Sequence, residues 1–230
     1  MKIYKIKLIL ESPCLIGSGE GFGAVIDSDI VFDELGIPYI PAKRIKGCLR
    51  DSAIEVCEMF SLAKINLFDL SEEESENNFR IVTYLFGKPG NDQPAPIYFS
   101  NLTIEDYPNK VKWLKYLMEN YKEIITRHSI INQFTEIRQQ TAIDEKTGIA
   151  KEHSLRTIRV AKKGLTFIGT IDIEEEREDL IKLLYFACRN LKYLGTKRNR
   201  GFGKVKCDIS GNLIKEENKF LNELEAICKQ

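Results

Sequence analysis

The alternation of apolar and polar residues predicts a strand at the N-terminus. Within residues 2–10 every second side chain is apolar, at Tyr4, Ile6, Leu8 and Leu10. This period of two is typical of a strand that buries one face. Apolar, β-branched segments bounded by glycine, proline and polar residues predict three further strands, over 97–104, 164–173 and 204–209.

Apolar residues spaced three and four apart predict four helices, over about 42–63, 109–127, 174–193 and 213–230. The buried face of the first helix is predicted to consist of Ile45, Leu49, Ala53, Val56, Cys57 and Phe60. That of the third helix is predicted to consist of Leu180, Leu184, Ala187, Cys188 and Leu191, and that of the last of Phe220, Leu221, Leu224 and Ile227.

The order of these elements predicts an α+β fold. Without insertions at about 64–93 and 105–133, it is strand, helix, strand, strand, helix, strand. This βαββαβ order is the ferredoxin-like arrangement, which the RNA-recognition-motif fold shares. We therefore expect residues 1–230 to form a single domain, with the 109–127 helix as an inserted element.

Residues 136–163 form a separate feature. Two polar and mostly charged arms flank a Glu-Lys-Thr-Gly turn at 145–148, which predicts a hairpin. A ribbon of this composition is expected to project from the domain and bury little. An ordinary surface hairpin remains the alternative to a functional one.

The charges are balanced in number but segregated along the chain. Lys and Arg total 34, as do Asp and Glu, so any nucleic-acid surface must come from local clusters. The segments 43–50 and 197–206 contain cations and no acid, whereas 71–76 is an acidic run expected in a solvated loop or at a helix start.

Cysteine spacing argues against a zinc-binding protein, and hydropathy argues against a membrane protein. The six cysteines are scattered without a C-x-x-C pair, so we expect no zinc site. Buried thiols fit a reducing, cytoplasmic setting. No apolar run is long enough to span a membrane, and we expect no membrane partner.

The entry to the first helix has an unusual charge pattern. Pro38 and Pro41 lead into a first turn that holds Lys43, Arg44 and Lys46 and no acid. Each such cation opposes the helix macrodipole at a cost of about 0.3–1 kcal/mol. Free N–H groups beside cations can bind a phosphate, and the alternative is a solvated basic helix end. Gly47 costs about 1 kcal/mol against alanine, which is tolerable where a packed strand or a nucleic-acid strand comes close.

A glycine-rich loop and three aspartates precede this helix. The loop at 17–23 lacks both the dinucleotide-binding pattern and the Gly-Lys-Ser/Thr ending of a phosphate loop, so nucleotide binding is rejected there. Asp27, Asp29 and Asp33 follow. They are either turn-forming residues or carboxylates positioned for acid–base or metal-assisted chemistry.

Taken together, four stretches resemble one family. They are Ile26-Asp27-Ser28 after the glycine-rich start, Pro38 to Arg50, the hairpin segment 142–150, and the basic glycine loop from Gly195 to Gly203. In this order they resemble a RAMP-superfamily protein, of the backbone type found in type III CRISPR effector complexes (Csm/Cmr-like).

The resemblance implies partners and site residues. The partners would be guide RNA, target RNA and other CRISPR effector subunits, with base pairing reading the sequence and protein reading the backbone. The hairpin would be a thumb that splays a base pair of the guide–target duplex. RNA would be held by Lys43, Arg44, Lys46, Arg50, Arg138, Lys146, Arg156, Lys197, Arg198, Asn199, Arg200 and Phe202, the last of which packs or stacks.

The resemblance also implies a cutting activity. Asp27 matches the aspartate that cleaving members need to cut target RNA with a divalent metal, Mg or Mn, using the 2′-hydroxyl as nucleophile. Asp29 and Asp33 are the alternatives for this role. The protein would then be a metal-dependent endoribonuclease acting within the complex.

Three rival functions stay open. The first is a non-catalytic RNA-binding scaffold in which Asp27 is structural. The second is a guide-processing endoribonuclease, although such enzymes usually rely on an early histidine and this chain has only His128 and His153. The third is a metabolic or regulatory ferredoxin-like domain whose basic segments are surface decoration.

Overall fold

A computed structural model describes residues 2–17, 25–65, 79–88, 90, 94–175, 177–210 and 213–229. Most of the 17–23 loop and the whole acidic run 71–76 lie outside these residues. In chain order the elements are β1 (Lys2–Leu10), α1 (Ala42–Leu62), α2 (Phe79–Phe86), β2 (Ile97–Phe99), β3 (Thr103–Ile104), α3 (Tyr107–Asn120), α4 (Arg127–Phe134), β4 (Thr135–Gln140), β5 (Arg156–Ala161), β6 (Thr166–Ile173), α5 (Glu178–Asn190), β7 (Val205–Ser210) and α6 (Leu213–Cys228).

The first predicted strand lies at the centre of the main sheet. β1 pairs antiparallel with β6 on one side and with β7 on the other, and β6 also pairs with β2 and β3. The predicted inner side chains of β1 are buried, each 1% exposed or less. The sheet therefore has the strand order of the predicted ferredoxin-like fold.

Helices α1 and α5 pack against each other over this sheet. The predicted stripe of α5 is buried, and that of α1 is buried except for Phe60, which packs on the core at intermediate exposure. The Ser52 hydroxyl donates to the carbonyl oxygen of Ala187 at 2.8 Å. This bond satisfies a buried polar group at the helix–helix contact.

The predicted strand 97–104 is divided into β2 and β3 by an irregular step. At this step the Thr170 N–H donates to Ser100 Oγ at 2.7 Å. Gly169 of β6 allows the close approach, since a Cβ there would lie 2.9 Å from Ser100 Oγ. The step brings Asn101 to the start of α1, where it contributes to the site described below.

The predicted helix 109–127 is wrong at its C-terminal end. α3 stops at Asn120, and Tyr121 leaves the helical region with φ −131° and a side chain that is 51% exposed. A second helix, α4, then begins after Thr126, whose side chain and that of Ser129 form a reciprocal capping box. The apolar spacing continued across this break, so periodicity alone could not reveal it.

Other boundaries also differ from the prediction. Leu85 and Phe86 fall in the predicted insertion at about 64–93, and the structure buries both of them in the helix α2. α5 is shorter than predicted, with Glu178 and Asp179 as the acids of its first turn. On α6 Phe220 is buried, whereas Leu221 is 37% exposed and does not belong to the buried face.

The hairpin region buries more than its composition indicated. β4 and β5 pair antiparallel from Thr135–Ala161 to Gln140–Arg156. Thr135, Ile158, Val160 and Ala161 are buried at its base, so the expectation of a weakly packed ribbon is wrong there. Beyond the ladder, segment 141–155 carries exposed Ile143, Ile149 and Leu155. Its role as a thumb stays a prediction.

Within the described part of the chain, no helix is both long and apolar enough to cross a bilayer. All six cysteines are free thiols.

Candidate nucleic-acid interface

The N-terminus of α1 is built by residues from distant parts of the chain. Pro41 occupies the N-cap position without a side-chain cap of its own. Instead the Ala42 N–H donates to Asn101 Oδ1 at 2.8 Å. The first turn has no acidic residue, and Lys43 is exposed there. The fold therefore stabilises the cationic helix start through Asn101 rather than by a neutralising side chain.

Gly47 lies in the middle of the exposed face of α1. On a helix surface its neighbours three and four positions away include Lys43, Arg44 and Arg50. A Cβ built on Gly47 has no described atom within 4 Å, so no packed strand explains this glycine. Of the two explanations that the sequence left open, a packed strand is therefore not observed among the described residues.

Two glycines fix the position of the loop that follows α5. A Cβ on Gly203 would lie 2.0 Å from the carbonyl oxygen of Leu194, and a Cβ on Gly195 would lie 2.5 Å from that of Leu15. Both residues have positive φ, at +76° and +85°, where glycine is favoured. These approaches hold the basic loop against the segment that precedes the glycine-rich start.

Arginines of α1 and of the basic loop lie close to the same buried residues. Arg44 Nη2 donates to the carbonyl oxygen of Gly17 at 2.9 Å, and Arg198 Nη2 lies 3.9 Å from Cys48 Sγ. Burial raises the pKa of the Cys14 thiol beneath them to about 12, against the opposing charges of these two arginines. The two cationic segments thus converge in space.

The hairpin joins the same surface through Lys197. Its Nζ donates to Gln140 Oε1 at 2.6 Å, and Gln140 pairs with Arg156 across the hairpin. Lys197 also has a φ of +59°, which is uncommon for a residue with a side chain. Burial, and then the charge of Arg200, lower its pKa. We call the surface formed by Lys43, Arg44, Gly47, Lys197, Arg198 and Arg200 the basic site.

Asp27 lies where the hairpin meets this surface. Its Oδ2 accepts from the Thr157 N–H at 2.7 Å, and its Oδ1 accepts from Arg156 Nη1 at 3.2 Å. The bond from Thr157 is the main reason why the pKa of Asp27 is lowered, and Arg156 contributes. Asp27 is therefore an exposed, ionised carboxylate. Its negative charge raises the pKa of Lys197, although burial lowers that pKa by more.

The two alternative aspartates have structural roles. Asp29 is buried and pairs with Arg159 at 2.7 Å, while the Arg159 guanidinium lies 5.9 Å from the centroid of the Phe32 ring. Asp33 accepts from the Ile37 N–H and the Tyr107 hydroxyl, both at 2.8 Å. Because these contacts hold the segment together, Asp27 is the better candidate for chemistry.

The remaining predicted RNA-binding residues differ in their surroundings. Arg138 pairs with Glu136 of its own strand at 2.8 Å. Lys146 lies in the exposed hairpin turn, and Phe202 is partly buried against the core, as the packing alternative expected. Arg50 has a buried Nε without a described hydrogen-bond partner. Lys46 is partly buried, which lowers its pKa, and Asn199 is exposed in the short 3₁₀ turn Arg198–Arg200.

Sequence reasoning missed Asn101 and Gln140, although both hold parts of the site. Asn101 lies 59 residues from the N–H that it caps, and Gln140 lies 57 residues from Lys197. Neither carries a local sequence signal, since each works only through a contact between distant segments.

The described residues do not assemble a metal site by themselves. No group of three or more His, Cys, Asp or Glu side chains lies together among them. Near the basic site Asp27 offers one carboxylate, and both of its oxygens already accept hydrogen bonds. The described residues therefore do not fit a metal ion held by their side chains alone.

A family model and several solved structures are similar to the chain. The RAMP superfamily model matches residues 7–206. One similar solved structure is a type III-B Cmr-beta bound to cognate target RNA, with 14% identity and a TM-score of 0.61; the match covers 91% of this chain and 97% of that chain. Another is the apo state of type III-B Cmr-beta, with 13% identity and a TM-score of 0.64; the match covers 92% of this chain and 98% of that chain. The sequence has no significant match among curated proteins.

Proposed function

Because the chain belongs to the RAMP superfamily, we propose that it is an RNA-binding backbone subunit of a type III CRISPR effector complex. Its partners are guide RNA, target RNA and neighbouring effector subunits. The observation that carries the proposal is the convergence of α1, the basic glycine loop and the hairpin on the basic site. A complex containing similar chains binds target RNA, which supports the same ligand class here.

The basic site holds the guide through its phosphates. Its side chains are arginines and lysines without an acid in the first turn of α1, and such contacts position a strand without reading its sequence. The strand crosses α1 at Gly47, where nothing in the described chain blocks the approach of a sugar–phosphate backbone. Sequence recognition is left to base pairing.

The hairpin acts as the thumb. Its outer segment carries exposed Ile143 and Ile149 next to the tip. Apolar side chains of this kind separate neighbouring bases when they are inserted between them. The buried base of the hairpin and the bond between Lys197 and Gln140 hold this wedge at a fixed position relative to the basic site.

Cleavage of target RNA takes place beside Asp27. The ionised carboxylate lies next to Arg156, a cation that can bind the phosphate of a distorted strand. Asp27 accepts the proton of a 2′-hydroxyl of that strand, and the 2′-oxygen attacks the adjacent phosphorus to form a 2′,3′-cyclic phosphate. The P–O5′ bond breaks, and the leaving 5′-oxygen takes up a proton to become a hydroxyl. A divalent metal, Mg or Mn, would neutralise charge on the phosphate, and it would need ligands beyond the described side chains.

Replacing Asp27 tests cleavage. In the assembled complex, Asp27→Ala is expected to reduce the rate of target-RNA cutting about 100-fold or more. This is the usual effect of removing a general base. Gel analysis of a labelled target measures the cutting, and guide content of the complex is the control. Unchanged cutting would establish the scaffold alternative instead.

Replacing Gly47 tests RNA binding. Gly47→Ala is expected to stabilise the free chain by about 1 kcal/mol, since the site has room for the methyl group. The same methyl group should weaken RNA binding, because it lies between the strand and the helix. Urea unfolding measures the first effect and fluorescence anisotropy with labelled guide RNA measures the second. A variant that gains stability and keeps full affinity would show that the strand does not cross α1 here.

A further inference from the structure

A small cavity lies at the edge of the basic site, between α1 and the C-terminal end of α5. Its volume is about 140 Å³ and its lining includes Cys48, Asp51, Glu55, Asn190, Tyr193 and Arg198. Sites for whole small molecules usually enclose about 300–1,000 Å³. This cavity therefore has room for one planar group rather than for a complete ligand.

The lining of the cavity offers hydrogen-bond acceptors. Asp51 and Glu55 contribute carboxylates from one face of α1. Asn190 Nδ2 already donates to Ser52 Oγ at 3.1 Å and to Glu55 Oε2 at 2.9 Å. The amide nitrogen is thus occupied, and what Asn190 offers a ligand is its carbonyl oxygen. A group with several adjacent N–H donors is the best complement to this lining.

Two cations also line the cavity. They are Arg198, which belongs to the basic site as well, and Lys192. These cations disfavour the side chain of a lysine or arginine from a partner protein, but they favour a ligand whose donor group is joined to a phosphate. Tyr193, which is 42% exposed, adds an aromatic face on which a base can stack.

We propose that this cavity binds one unpaired nucleobase of the RNA held by the basic site, with guanine preferred. Guanine presents its N1–H and N2 amino donors side by side, which matches a carboxylate, and its 5′ phosphate reaches Arg198. Uracil presents a single donor between two acceptors, which face the carboxylates unfavourably. The inference rests on the proposed function and adds base selectivity to an otherwise sequence-independent site.

The test uses the full-length chain and two labelled RNAs. One is an oligouridine of about 12 nucleotides, and the other has a single central guanosine. In fluorescence anisotropy the guanosine is expected to raise affinity about 10-fold, the discrimination typical of one bidentate base contact. Glu55→Gln should remove this preference, measured as the ratio of the two affinities. Glu58→Gln, which changes an exposed acid of α1 outside the cavity, should keep it.

Equal affinities for the two RNAs, or a preference that survives in Glu55→Gln, would overturn the inference. Either outcome leaves RNA binding itself intact. Failure of the proposed function is distinguishable, because the wild-type chain would then bind neither oligonucleotide.

Discussion

The double variant Lys43→Glu/Lys46→Glu is expected to lose RNA affinity about 100-fold at about 0.1 M salt, because two phosphate contacts become repulsions. The loss should be the same for guides of unrelated sequence, since phosphate contacts carry no sequence information. Anisotropy titrations with at least two different guide sequences measure both effects.

A matched control separates local contacts from net charge. Lys112→Glu/Lys122→Glu changes the charge by the same amount at exposed positions of the insertion, and it should bind RNA nearly as the wild type does. If the two variants lose affinity equally, only the overall charge matters and the basic site is not the contact surface. A loss for one guide sequence alone would argue against phosphate recognition.

The variant Asp29→Asn is expected to lower the free energy of unfolding by about 3–5 kcal/mol, the usual cost of removing one partner of a buried ion pair. The substitution keeps the size of the side chain but leaves the Arg159 guanidinium buried without its countercharge. Urea denaturation followed by circular dichroism measures the loss.

Asp27→Asn is the matched control for this variant. Both aspartates pair with an arginine of β5, but the pair of Asp27 is exposed to solvent, where such pairs contribute little. Asp27→Asn should therefore unfold at nearly the wild-type urea concentration. A wild-type unfolding midpoint for Asp29→Asn would contradict the structural role assigned to the buried pair.

The sequence was most informative about the buried face of each single helix or strand. The period of two in β1 and the helical spacing in α1 and α5 correctly predicted which faces are buried, because burial of one face is what imposes the period. Their order then predicted the sheet. The break after Asn120 is not visible in the apolar spacing, which runs on through Tyr121 and Ile125. The sequence signal that marks it is the capping pair of Thr126 and Ser129.

The sequence indicated which residue types form the candidate site, but not which of these residues contact each other. Segregated cations and an unexplained Gly47 were visible in the sequence. The family resemblance favoured Asp27 over Asp29 for catalysis. The structural role of Asp29 was not visible there, since it depends on the part of β5 that Asp29 contacts. The same limit applies to the cavity between α1 and α5, whose acceptor lining arises from residues about 140 positions apart.

The most direct test of the central claim is the salt dependence of RNA affinity for the wild-type chain. If Lys43, Arg44, Lys197 and Arg198 grip one single strand, the logarithm of the association constant should fall against the logarithm of salt concentration with a slope of about −3. The slope should become shallower in Lys43→Glu/Lys46→Glu. A slope near zero in the wild type would contradict the account, because the basic site would then not hold phosphates.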